Sequence, residues 1–232
     1  MDNLFSESNP IGKVSSFEEL VGTDFKGEMN ALCWERNLEG DFNEVVTQLQ
    51  LKEDITEVAP EDLWALQLSE KGNRARAVIL NDFQLLSDYG ASPTLNLLKC
   101  YERDAVFDFI TTDVYSFHVD RSPIATDTFL CAYYGASSEI IANAQAQQKV
   151  LIPEIRTQLK ALHEGPADEF EDFLKDNYFD LHYESQLNAT PITLGVGHLC
   201  RLAVDHPEQK VLPCIHRAPI ENEGEYRLML IC

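Results

Sequence analysis

Two periodicities divide the chain. Up to Gly90 the apolar positions recur at helical spacing, and "SSFEELVG", "GDFNEVVTQLQL", "PEDLWALQLSE" and "ARAVILNDFQLLSDYG" each predict a helix. In the second of these, Phe42, Val45, Val46 and Leu49 share one face. Ser15 or Ser16 can accept backbone N–H bonds at the start of the first, Gly22 can end it, and Gly90 stops the last. "MNALCW" is a short buried-strand candidate. From Thr94 the pattern changes to period two, rich in β-branched and aromatic residues. There "TLNLLKCYE", "VFDFITTDVYSFHVD", "TFLCAYYG", "PITLGVG", "HLCRLAV", "KVLPCIHRAP" and "EYRLMLIC" predict strands. An insertion at about 137–189 interrupts them with two helix-like segments. The first is bent or split at Pro153 and closed by Gly165 and Pro166; the second is very acidic.

Short strands following a helical N-terminal layer predict a mixed α/β jelly-roll or small barrel faced by helices. No repeat, low-complexity tract or Gly/Ser linker divides it, so 1–232 reads as a single domain: 1–93 an N-terminal α/β layer, 94–232 the β portion. A hydrophobic content of 44% supports a sizeable core. The charge narrows the choice of partners. With 39 acidic against 18 basic residues, the net charge of −21 repels phosphate backbones and anionic headgroups, so neither nucleic acid nor membrane is an expected partner. No apolar run approaches the roughly 18 to 20 residues that span a bilayer. The start, "MDNLFSESNPIGK", lacks a basic stretch followed by an apolar one, and the six cysteines have no framework spacing. Reduced thiols and a cytoplasmic location are the expectation.

The chemistry begins at "YSFHVDR". On a strand, His118 and Asp120 project from one face while Val119 packs on the other. A facial triad needs a third ligand, and His216 in "VLPCIHRAP" is the best placed, sharing a face by parity with Leu212 and Cys214. Arg227 follows eleven residues later, near the opposite rung if a hairpin around Glu221–Gly224 joins the two strands. An arginine on an inner face must meet an anion, because an unpaired buried guanidinium is very costly, and a carboxylate suits its fork geometry.

The order His118-x-Asp120, distant His216, then Arg227 resembles the Fe(II)/2-oxoglutarate-dependent dioxygenase superfamily, over roughly Cys100 to Cys232. "HVDRSPIATDTFLCAYYG" is similar in particular to the prolyl-hydroxylase branch, where a tyrosine pair follows the HxD strand. The resemblance implies a double-stranded β-helix (jelly-roll, cupin-like). It implies Fe(II) held by His118, Asp120 and His216, and 2-oxoglutarate anchored by Arg227 with support from Tyr134, or Tyr133 should the register shift by one. It implies O2 as the oxidant and a hydroxylated product, with succinate and CO2 formed alongside. The substrate class would be an amino acid, a peptide or protein side chain, or a small metabolite. An aspartate in the HxD slot favours hydroxylation over halogenation. Two features depart from the family: the interval from Asp120 to His216 is long, and the residue two past Arg227 is Met229 rather than a small hydroxyl residue. A covering element is expected over the site, and the insertion at about 137–189 is the candidate.

Two other readings use the same chain. His198-x-Cys200 and Cys214-x-His216 could form a tetrahedral zinc site if their strands adjoin. A cupin-like metal-binding or interaction protein would keep the barrel without catalysis. Gly195 and Gly197 read as a tight turn, Arg217 and Arg121 as surface ion-pair partners, His163, His182 and His206 as solvated, and Trp34 and Trp64 as core.

Overall fold

A computed structural model describes residues 9–221 and 224–232. The N-terminal portion runs β1 (Ile11–Val14), α1 (Phe17–Gly22), β2 (Ala31–Trp34), α2 (Phe42–Gln48), β3 (Ile55–Glu57), α3 (Pro60–Ala65) and α4 (Glu70–Tyr89). Then come β4 (Thr94–Leu98), β5 (Phe117–His118), β6 (Asp127–Tyr134), β7 (Glu139–Ile141), β8 (Ala146–Gln148), α5 (Pro153–Leu162) and α6 (Phe170–Asp176). The chain closes with β9 (His182–Ser185), β10 (Ile192–Thr193), β11 (Leu199–Ala203), β12 (Ile215–Arg217) and β13 (Arg227–Ile231). A large curled sheet has the order β1-β2-β11-β6-β13-β4-β3, and a smaller one β10-β7-β12-β5-β9-β8. All pairings are antiparallel except β1 with β2.

The helices form where caps and periodicity agree. The Ser16 hydroxyl accepts the Glu19 N–H at the start of α1, and Gly90 ends α4 at φ 95°, a left-handed position that glycine adopts without Cβ strain. Along α4, Ala75, Ile79, Asp82 and Leu86 are buried at spacings of four, three and four, the stripe of a helix lying on a sheet. That stripe meets Leu95, Leu97, Phe129, Cys131, Leu228 and Leu230 on the outer face of the large sheet. Each fully buried Ile or Leu contributes about 2 kcal/mol by area. The other face of this sheet supplies Ala31, Leu98, Leu130, Leu202 and Met229 to a second cluster, joined from the smaller sheet by Ile140 and, just before β12, by Cys214. The two sheets therefore share an interior.

One polar network pins α4 to the large sheet. Asp82 is fully buried; its Oδ1 accepts from Arg36 Nη1 at 2.7 Å and its Oδ2 from the Tyr133 hydroxyl at 2.7 Å. Arg36 Nη2 bonds the same carboxylate, and Arg36 Nε donates to Gly197 O at 2.8 Å.

The structure corrects several expectations. Of "VFDFITTDVYSFHVD" only Phe117–His118 is strand; Phe107, Phe109 and Ile110 turn aside and pack with Leu159, Phe170 and Leu174 of α5 and α6. The segment at 137–189 is not a helical insertion throughout. It supplies β7, β8 and β9 to the smaller sheet, and its α-helices are confined to about 153–176. Ile140 and Ile141 are adjacent and both wholly buried, Ile140 between the sheets and Ile141 on the opposite side, which only a strand between two layers allows. Half of the expected covering element is thus wall. β12 and β13 lie in different sheets, so no hairpin joins them; residues 222 and 223 of that connection lie outside the described residues. The edge strands β1 and β3 were too short to show period two. Trp64 is 63% exposed rather than core. Cys33 and Cys200, directly opposite on β2 and β11, form a disulfide with a Cα–Cα distance of 4.1 Å, against the expectation of reduced thiols throughout. No described helix is long and apolar enough to cross a membrane.

Replacing Asp82 with Ala leaves the Arg36 guanidinium without its counter-ion in a largely buried site. The expected loss is about 3 to 5 kcal/mol, read as a lower urea midpoint with an unchanged slope.

Candidate metal centre

The smaller sheet places its functional side chains by register. His216 pairs with Ile140 on one side and His118 on the other, and His118 pairs with His182. In an antiparallel ladder, directly paired residues point to the same face, so Ile140, His216, His118 and His182 form one row across four strands. Ile140 belongs to the cluster shared with the large sheet, which makes this the inner face. The alternate residues Phe117, Val119, Ile141 and Ile215 pack on the opposite side.

Beyond the end of β5, Asp120 swings beside the two rings. Ligand atoms of His118, Asp120 and His216 all lie within 4.8 Å of one another, the one such group of three among the described residues. His118 Nδ1 bonds Ser116 O at 2.8 Å and His216 Nδ1 bonds Cys214 O at 3.2 Å. Each backbone carbonyl fixes the tautomer with a proton on Nδ1 and leaves Nε2 as the free lone pair. These Nε2 atoms face the carboxylate: His216 Nε2 to Asp120 Oδ2 is 3.6 Å and His118 Nε2 to Asp120 Oδ1 is 4.0 Å. Thr128 Oγ1 donates to Asp120 Oδ2 at 2.5 Å and orients it.

The electrostatics suit a cation. Burial and then the His216 ring push the His118 pKa well below that of a free imidazole, so the ring is neutral and able to ligate. Burial alone would raise Asp120, but His216, the Thr128 hydroxyl and His118 outweigh it and hold the carboxyl below its usual range. Two neutral imidazoles and one carboxylate make a donor set that fits a first-row divalent metal such as Fe(II).

Arg227 reaches the same interior from the large sheet. It is only 2% exposed, and its neighbour at i+2, Met229, belongs to the shared cluster. Arg227 Nε donates to Ala136 O at 2.7 Å and Nη2 contacts Met229 Sδ at 3.4 Å, while the buried Nη1 has no hydrogen-bond partner among the described residues. Burial lowers its pKa, opposed by Tyr101, Glu221 and Tyr115. Tyr134 is not beside it. A bulge at Leu228/Met229 shifts the β6–β13 register, and Tyr134 packs against the helix-side core, as does Tyr133, whose hydroxyl is committed to Asp82. The tyrosines near Arg227 are instead Tyr101 and Tyr115. The Tyr101 amide donates to Tyr115 Oη at 2.8 Å, and Tyr115 Oη donates to Glu221 Oε2 at 2.6 Å. They sit at the two ends of the long β4–β5 connection, inside segments whose period-two pattern predicted strands but gave neither tyrosine a role.

Other assignments sort cleanly. Arg217 pairs with Glu139 and Arg121 with Asp180 and Asp205, as parity and exposure suggested. His182 is buried, not solvated. Cys200 is held in the disulfide, and His198 Nδ1 bonds Leu194 O, so the proposed His2Cys2 set is not assembled. A wide groove of about 990 Å³, lined among others by Tyr89, Asp127, Arg201 and His206, contains none of the metal-group residues.

No protein-family model, curated protein or solved structure matches the chain.

Burial, then His118 and Lys149, hold the His182 pKa down to about 3. Such a histidine binds its proton more readily unfolded than folded, so its contribution is full above about pH 6.5 and is lost as pH falls toward 3. Metal-free protein is expected to lose about 1.4 kcal/mol per pH unit from this group between about pH 6.5 and 4. Urea unfolding across that range should give a shallower pH slope for His182→Phe than for the wild type.

Proposed function

We propose that the chain is an Fe(II)/2-oxoglutarate-dependent oxygenase with a double-stranded β-helix core, hydroxylating an amino acid, a peptide or protein side chain, or a small metabolite. The observation that carries this reading is the pairing of one compact His–Asp–His group with one buried arginine that has no counter-ion partner among the described residues of the same interior. His118, Asp120 and His216 would hold the metal, and the unpartnered Nη1 of Arg227 would receive the distal carboxylate of 2-oxoglutarate. When bound, iron and 2-oxoglutarate supply the oxidising power from O2 that no side chain possesses.

The rest is work for the protein. Ser116 O and Cys214 O keep both imidazoles in the ligating tautomer, Thr128 holds the carboxylate, and the shared apolar cluster keeps bulk water from the centre. Met229 occupies the place where a small hydroxyl residue would assist the anchor, and Tyr101 is the group that could assist in its stead.

A non-catalytic metal-binding barrel is the second reading. It is favoured by Glu221, whose field already acts on Arg227 and which could serve as an internal counter-ion. The two separate on one measurement. Under anaerobic conditions, metal-free protein titrated with Fe(II) and 2-oxoglutarate should develop the visible metal-to-ligand charge-transfer band of this cofactor class. His216→Ala should abolish the band. Arg227→Ala should keep metal binding but weaken 2-oxoglutarate by more than tenfold. Folded wild-type protein that binds iron and gives no band would remove the cosubstrate and leave the non-catalytic reading.

A further inference from the structure

Among the described residues, two buried side-chain cations have no acid within ion-pair distance, and the reading above uses only one of them. The other is Lys149, 5% exposed in a protein of net charge −21 and in no ion pair among the described residues. The β8–β9 register ends at Gln148↔Tyr183, and Lys149 follows it as the first residue of a 3-10 turn, near enough to His182 for its charge to lower that ring's pKa. Its ammonium donates to three neutral oxygens: Thr111 O at 3.0 Å, Thr111 Oγ1 at 2.9 Å and Ser116 Oγ at 2.6 Å. Ser116 is the residue whose carbonyl also holds His118. These contacts fix the charge in place without neutralising it. Asp104, Asp113 and Glu184 exert only longer-range fields upon it. A buried ammonium with neutral partners is costly to keep unless an anion joins it.

His182 occupies the step between Lys149 and the metal group. It is 6% exposed, its ring centroid lies 5.8 Å from that of His118, and its Nδ1 is buried with no hydrogen-bond partner among the described residues. An orphaned polar atom at such a position costs on the order of 1–3 kcal/mol in the free protein, a cost that a ligand atom would relieve.

We propose that His182 and Lys149 form the recognition site for the primary substrate, which is a small carboxylic acid. His182 would donate to the carboxylate and Lys149 would supply the compensating positive field. The proposal rests on the oxygenase reading for the identity of the second anion, the cosubstrate. A small molecule fits better than a macromolecule because both side chains are buried, Lys149 lines a cleft of only about 230 Å³ with Thr111, Ser116 and Tyr183, and the 101–116 connection is tied down by the Tyr115–Glu221 bond and by Ala218 N–H to Val114 O at 2.8 Å. Both residues are substrate-positioning groups; neither is needed to hold the metal.

The test uses wild-type protein loaded anaerobically with Fe(II) and saturating 2-oxoglutarate. The probes are the proteinogenic L-amino acids and short aliphatic acids, each paired with its own carboxamide. At least one acid should shift the visible band and bind tenfold or more tightly than its amide. Lys149→Met and His182→Phe should each weaken that acid at least tenfold while leaving 2-oxoglutarate affinity unchanged. Equal binding of acids and amides, or no acid binding at all, overturns the proposal, as does a Lys149→Met variant that loses 2-oxoglutarate instead. If the wild type never forms the band, the oxygenase reading fails by itself. The acid-over-amide preference is then read as a thermal shift on metal-free protein, where its presence sustains the anion site and its absence overturns it. The acid–amide comparison on unmutated protein also keeps the result decisive should either variant fold poorly.

Discussion

The register of the smaller sheet is the constraint on which the site depends. A slip of one residue between β5 and β12 would turn His118 outward and bring Phe117 or Val119 into its place, because side chains alternate faces with a period of two. The pairing is held from the far side. Phe117, Val119, Ile141 and Ile215 bury together there, and Arg217 lies 4.3 Å over the Phe117 ring while it pairs with Glu139 of the neighbouring strand. Apolar burial on one face therefore fixes the polar row on the other. The strands concerned are only two to four residues long, so little backbone pairing is available for the purpose and the side chains must supply the specificity.

Charge is distributed unevenly. The surface is strongly acidic, while two bases, Arg227 and Lys149, are buried. Neither is in an ion pair with a described acid, unlike Arg36, whose carboxylate partner Asp82 is equally hidden. Arg36 and Asp82 illustrate a structural solution to a buried charge: two groups neutralise each other and lock a helix to a sheet. Arg227 and Lys149 are held by carbonyls, hydroxyls and a thioether and keep their charge available. The distinction between the two kinds of buried cation, paired and unpaired, motivates assigning anions to the interior.

The helical layer and the disulfide act at a distance from the chemistry but hold its far wall. The α4 stripe packs against β13 and β4, the strands that begin and end beside Arg227 and Tyr101. The Cys33–Cys200 bond joins β2 to β11 inside the shared interior. Both features stiffen the large sheet, while the long β4–β5 connection brings Tyr101 and Tyr115 beside Arg227.

Much of this was written in local pattern. Ser16 and Gly90 marked helix ends, Val45 and Val46 marked a buried face, and the i, i+2 spacing of His118 and Asp120 placed them together before any tertiary contact was known. His216 was within reach for the same reason, since parity is a property of the strand alone. The chain by itself thus determined its helices, most of its strands and the three residues of the metal group. Tertiary structure decided what depends on partners remote in sequence. Tyr134 lost its expected place because a bulge against β13 altered the parity that the sequence displayed. The segment at 137–189 became wall because Ile140 and Ile141 found a sheet on either side. Cys33 met Cys200 across 167 positions. His182 reads as solvated from its acidic surroundings, and only the pairing of β5 with β9 carries it inside, where the neighbouring Lys149 is also buried. Local propensity acts over a turn or a strand, whereas burial is a property of the assembled layers, and it is burial that makes an ordinary histidine or lysine chemically consequential.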